Sequence, residues 1–175
     1  MSVIGPASFG TSFPVSPLDG HVHVLTDSTT ASTWQWTFRW NNSSTNADKW
    51  ELVGGSNASR YEITTFSTSS ATDVTDANAP TFTIPRGGVY QLEFGVGISN
   101  GSSGSTGTMT LRKAGVNVTG ATVAGNGQGF MQGSRLIDVT CATNDVISFV
   151  FKSSNASFSQ GFSLRWLRVR PIRVS

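Results

Sequence analysis

The chain has 175 residues, of which 13% are charged and 37% hydrophobic, with 19 Gly, 6 Pro and a formal net charge of +2; this length fits one domain with at most a small appendage. Ser and Thr number 25 and 21, against three Lys and three Glu, so the composition excludes an all-helical or doubly wound α/β fold and fits short strands joined by polar turns. No stretch approaches the roughly 20 apolar residues of a membrane-spanning helix, and the opening MSVIGPASFG lacks the basic start and apolar core of a secretory signal. The expectation is a chain made in a cytoplasm and not inserted in a membrane. Cys141 is the only cysteine, which rules out a disulfide or a cysteine-based zinc site within one chain. Charge is uneven: residues 1–111 sum to −4 and residues 112–175 to +6, an asymmetry expected where a basic patch meets nucleic acid or an acidic partner surface, or where acidic and basic parts of neighbouring subunits face each other.

Taken in order, residues 1–19 read as an extended attachment arm, because Pro6, Pro14 and Pro17 together with Phe9 and Phe13 suit a chain that lies in a groove on another protein; the two Phe are candidate interface residues. Residues 20–56 read as a small Trp-rich β-meander with strands at HVHVLTD, STWQWTFRW and DKWELVGG. Alternation is clearest in the second, where Trp34, Trp36, Phe38 and Trp40 share one face. NNSSTNAD between Trp40 and Lys49 is a hairpin loop, since Asn and Ser bond their own backbone and tolerate turn geometry.

Residues 57–175 read as a jelly-roll β-sandwich, with strands at RYEITTF, FTIP, VYQLEFGVGIS, TMTLRK, VNVTGATV, GFMQGSRLIDV, DVISFVFK and GFSLRWLRVRPIRV. Tyr90, Leu92, Phe94, Val96 and Ile98 form a core face opposite Gln91, Glu93, Gly95 and Gly97, and Ile147, Phe149 and Phe151 form another core face. The closing strand breaks its alternation near Trp166: one side reads Phe162, Leu164, Trp166 and then Arg168 and Arg170. Its first half is expected in the core and its second half near a partner. Arg165, Arg168, Arg170 and Arg173 are the interface candidates there, since arginine is enriched at such contacts; no aromatic and basic recognition pattern points to nucleic acid.

No constellation for catalysis emerges. The run Gly101 to Ser105 lacks G-x-S-x-G spacing, AGNGQG has neither a dinucleotide-binding nor a P-loop pattern, and the ten acids are scattered. No enzyme activity and no cofactor are expected. His21 and His23, as i and i+2 on a strand, point to one face; they are either solvated strand residues or, repeated in three subunits, a candidate transition-metal site. Trp34, Trp36, Trp40 and Trp50 are either the core or interface of a small module or a stacking platform for sugar. Cys141 is expected to be a buried small hydrophobe.

Phe82, Pro85, Gly88, Tyr90 and Phe94 match the F-x-x-P-x-x-G-x-Y-x-x-x-F segment of the jelly roll shared by tumour necrosis factor and the complement globular head, and TMTLRKAGVNV, IDVTCATNDVISFVF and GFSLRW resemble later parts of the same scheme over about residues 60–170. This resemblance implies a jelly roll that forms a tight trimer. The segments W-x-W-T-F-R-W-N, beginning at Trp34, and K-W-E-L-V-G-G, from Lys49 to Gly55, resemble a tract that precedes such a jelly roll in structural proteins of tailed bacteriophages. Together the resemblances imply a non-enzymatic virion surface protein, assembled in a host cytoplasm, whose homotrimer displays the jelly roll for attachment to a host-surface glycan or protein and is anchored to other virion proteins through its N-terminal part. Alternatives are a capsid decoration or head-fibre protein that stabilises the shell, and a carbohydrate-binding module.

Overall fold

The computed structural model describes residues 7–100, 102, 104–126 and 129–175. Every regular element among them is a β-strand: β1 (Ala7–Gly10), β2 (Val22–Thr26), β3 (Gln35–Trp40), β4 (Trp50–Gly55), β5 (Ala58–Glu62), β6 (Phe66–Thr68), β7 (Phe82–Thr83), β8 (Gly88–Asn100), β9 (Thr106–Lys113), β10 (Val116–Asn126), β11 (Gly129–Cys141), β12 (Val146–Ser153) and β13 (Gln160–Val174). They build a two-sheet sandwich of jelly-roll type. The larger sheet runs β1-β2-β3-β4-β13-β8-β11, with β5 and β6 also paired to β13, and the smaller runs β10-β9-β12-β7. The all-β, two-sheet class follows from the period-2 patterning that the sequence carries.

Between the sheets, β8 supplies Tyr90, Leu92, Phe94 and Ile98, and β12 supplies Ile147, Phe149 and Phe151, all buried. Phe94 and Phe149 meet across the layers with ring centroids 5.5 Å apart. Each such aromatic side chain contributes on the order of 2–3 kcal/mol by leaving water, before ordering entropy is subtracted.

The Trp-rich tract is continuous with this core. β4 pairs with β13 at Glu51 with Arg173 and Trp50 with Val174, and the Trp36 ring lies 6.1 Å from Phe82 and 6.2 Å from Tyr90. The meander therefore lengthens the large sheet of the jelly roll, and the chain boundary near residue 56 is not a boundary of the core. The described part of the N-terminal tract also packs on its own chain: Ala7 to Gly10 pair in parallel with Val22 to Leu25, and Phe13 lies flat on Trp50 at 4.4 Å and 9°. A free arm was expected over residues 1–19; Ala7 to Gly10 and Phe13 are packed on their own chain, Val15 and Leu18 are exposed, and Met1 to Pro6 lie outside the described residues.

β13 explains the broken alternation of the closing strand. Its register against β8 shifts between Ser163 and Trp166, and Leu164 takes φ 48°, so a bulge inserts one extra residue and rephases the two faces. Phe162 points into the core, whereas Trp166 pairs with Gly95 on the opposite face. A second shift, between Pro171 and Arg173, accommodates a proline that has no N–H to give to the ladder.

Candidate functional site

The tryptophans proposed as a sugar platform are mostly interior. Trp34 and Trp36 stack at 4.0 Å, and Trp36 Nε1–H donates to the Ser56 carbonyl at 2.9 Å. Trp34, Trp36 and Trp50 are 6%, 1% and 2% exposed, and the half-buried Trp40 meets Trp50 edge-on at 5.3 Å. Their faces are used by one another, by Phe13 and by Phe82, so these residues form core and offer no open stacking plane. A small module gains most from its largest apolar side chains when it buries them.

His21 and His23 share a face, and both are buried, unlike solvated strand residues. Their rings converge on one hydroxyl: Ser8 Oγ lies 2.7 Å from His21 Nε2 and 2.7 Å from His23 Nδ1. With both imidazoles neutral, the Ser8 proton is donated to one ring and its oxygen accepts the N–H of the other. Burial holds the His23 pKa below its ordinary value against an opposing pull from the Gly10 backbone, and the adjacent His21 lowers it further. Among the described residues no group of three or more His, Cys, Asp or Glu side chains is placed to hold a metal ion. The pair fastens β1 to β2.

The four arginines of the closing strand divide. Arg165 is 1% exposed, pairs with Asp76, donates Nη2–H to the Thr64 carbonyl at 2.8 Å, and lies over the Phe151 ring at 5.8 Å. It was expected at an interface; the bulge turns it inward, where it ties the 64–76 region to the sandwich. Arg168 and Arg170 are exposed and Arg173 half-exposed. Phe9 is 52% exposed and Phe13 is packed. Cys141 is buried as expected, and burial pushes its thiol up to about 11, with Asp145 adding to and Lys113 opposing the shift; the thiolate needed for reactivity is scarce at neutral pH.

What the sequence reading passed over is the face of the large sheet turned away from the smaller one. Cross-strand pairing places Tyr61, Trp166, Gly95 and Ser134 in one row, and Arg168, Glu93 and Leu136 in the next. Trp166 lies directly on Gly95: a Cβ there would sit 2.7 Å from the indole. Phe130 covers Gly97 in the same way, at 2.6 Å. These alternate glycines let aromatic rings lie close against the backbone, and they stood in the sequence on the face opposite Tyr90, Leu92 and Phe94. Beside the Trp166 indole runs a groove of about 330 Å³ lined by Tyr61, Gln132, Ser134, Leu164 and Trp166. Tyr61, Phe130 and Leu136 are 64%, 56% and 60% exposed. Charges of both signs occur on the same face: Arg168 pairs with Glu93 at 3.2 Å in the row beside Trp166, and Arg39 with Glu51 at 3.4 Å farther along the sheet.

No family model matches the sequence, and no curated protein matches it. Among solved structures, the globular domain of zebrafish complement 1qA is similar with a TM-score of 0.45 and 12% identity, over 67% of this chain and 97% of that one. The CBM36-1 domain of a multidomain xylanase from the hindgut metagenome of Trinervitermes trinervoides has a TM-score of 0.39 and 11% identity over 64% and 96% of the two chains. TmCBM61 in complex with beta-1,4-galactotriose has a TM-score of 0.36 and 13% identity over 86% and 88%.

Proposed function

We propose that this chain is a non-catalytic attachment protein of a virion surface that works as a homotrimer, its subunits meeting through the outer face of the large sheet. The observation that carries the reading is the set of large apolar side chains on that face, Tyr61, Trp166, Phe130 and Leu136, two of them seated on glycines. Grouped exposed aromatic and aliphatic residues on an otherwise polar surface mark contact sites, and aromatic anchors dominate the energetics of such contacts. Acidic and basic groups occur on this face together, which suits contact with further copies of a chain that itself carries both signs better than a partner of one charge. The Trp-rich and Phe-Pro-Gly-Tyr-Phe segments that resemble phage structural proteins and trimeric jelly rolls support the virion setting. In a trimer each further contact with a host surface is intramolecular once the first is made, so weak sites give strong attachment.

Mass measurement of the full chain in solution tests the assembly: a trimer is expected, converted to monomer by Leu136→Glu with Trp166→Glu. A wild-type chain that stays monomeric at micromolar concentration overturns it. Antibody labelling of assembled particles, together with host adsorption in the presence of excess free protein, tests the setting. Labelled particles and blocked adsorption are expected.

A further inference from the structure

β1 ends the large sheet and pairs with β2 alone. Its Phe9 is largely exposed, so what holds it is a parallel ladder of four residues, the stack of Phe13 on Trp50 that follows it, and the Ser8 hydroxyl set between His21 and His23. The chain of N–H, hydroxyl and bare ring nitrogen through Ser8 is complete when both imidazoles are neutral. One further proton disturbs it. Taken by the ring that accepts from Ser8, it turns both rings into donors to a single oxygen; taken at His23 Nε2, which is buried without a hydrogen-bond partner among the described residues, it buries a charged N–H with no acceptor. The surroundings are aromatic: Phe13 meets His23 edge-on at 5.2 Å and Trp50 meets His21 at 5.9 Å.

No counter-charge waits for such a proton. Residues 7–13 contain neither acid nor base, and no carboxylate stands within ion-pair distance of either imidazole among the described residues. Asp19, before β2, accepts the Asn42 N–H at 2.8 Å. Arg39 of β3 and Glu51 of β4 bond each other on the other side of the sheet from Phe38 and Trp50, with Arg173 of β13 beside Glu51. Lys49 donates to the Asn42 and Ser44 carbonyls, and Asp48 acts on the Tyr90 hydroxyl. The charge nearest the aromatic enclosure is itself positive, the Arg86 guanidinium 5.9 Å from the centre of the Phe13 ring. A second imidazolium is opposed by the first across one hydroxyl. We infer that the His21–Ser8–His23 bridge is an acid-operated clasp, whose protonation frees β1 and Phe13 from the sheet while the sandwich stays folded. Histidine is the side chain suited to such a change near neutral pH, and a short terminal strand opens locally at little cost to the rest. Opening leaves the edge of β2 free to take another strand.

Hydrogen exchange of the full chain, read segment by segment by mass spectrometry at about pH 8 and about pH 5, on either side of the ordinary histidine value of about 6.5, tests the clasp. Protection of residues 7–10 and 22–26, corrected for the intrinsic pH dependence of exchange, is expected to fall about tenfold or more in acid, while β8 and β12 keep theirs. In the double variant His21→Gln, His23→Gln the fall is expected to vanish. Equal protection of β1 at both pH values, or a fall of the same size in the variant, overturns the clasp. Where the variant leaves β1 open throughout, the wild type decides: opening must follow the titration of the two imidazole ring resonances in nuclear magnetic resonance, and a midpoint that departs from theirs overturns it. The readout is segmental, so it holds for monomer and trimer alike.

Discussion

Trp36 and Trp166 belong to the same large sheet and face opposite ways. Trp36 is 1% exposed, stacked on Trp34 and anchored to the Ser56 carbonyl; Trp166 lies over Gly95, shares its other surroundings with the Arg168 guanidinium at 5.0 Å, and borders an open groove. Four tryptophans clustered between residues 34 and 50 are conspicuous in a sequence, yet they are spent on packing. The solitary fifth one is where the molecule offers an aromatic face. Density of aromatic residues along the chain thus reports how hard a region must work to build a core, and contact surfaces are better sought where a large ring is opposed by glycine.

The largest test of this contrast is Trp36→Ala. It opens a cavity at the junction of meander and sandwich and is expected to cost about 3–5 kcal/mol, with a single thermal transition seen alike by far- and near-ultraviolet circular dichroism. Two separate transitions would show that the meander folds by itself. Next in size is Arg165→Ala, which strands Asp76 beneath the surface and is expected to cost about 3 kcal/mol; chemical denaturation of the monomeric Leu136→Glu, Trp166→Glu background reads it without interference from assembly. Gly95→Ala lifts the indole off the sheet, so subunit dissociation should strengthen about tenfold or more, roughly 1.4 kcal/mol, while monomer stability changes less; unchanged assembly in sedimentation would remove Trp166 from the contact.

The smallest expected effect is pH-dependent and belongs to the buried side. The His23 pKa is lower folded than unfolded, so the unfolded chain binds more protons over the interval between the two values. Its contribution is complete above the ordinary histidine value of about 6.5 and is lost as pH falls through the folded one. Wild-type stability should decline over that interval more than that of His23→Gln, with β1 the first segment to gain amide hydrogen exchange. Parallel pH curves would separate the histidine pair from the fastening of β1.

Much of the architecture was legible because period-2 patterning is local: the inward sets of β8 and β12 are the buried ones, and the alternative of a tryptophan core was already open. Three features were not. The bulge at Leu164 and Arg165 shows in the sequence only as a break of alternation near Trp166; that it turns Trp166 to the outer face and Arg165 inward is not readable there, because Phe162, Leu164 and Trp166 still read as one face. Arg165 reads as surface among its neighbouring arginines, and only Asp76, far away in the chain, makes its burial tolerable. The joining of β4 to β13 depends on partners more than a hundred residues apart, a pairing that no window of sequence contains. For the candidate sites, Gly95 and Gly97 were visible on the outer face, but what lies on them required the fold.

β13 bonds to β8 along one edge and to β6, β5 and β4 in succession along the other. In chain order it follows all of them. The large sheet therefore stays in unjoined pieces during synthesis until this last strand is available, and the search for its distant partners makes assembly slow relative to a fold of local contacts. Over that interval the edges of β8 and β4 that await it are open to the same strand from another copy, so a strand that unifies the finished molecule is also its point of greatest exposure to exchange between nascent chains.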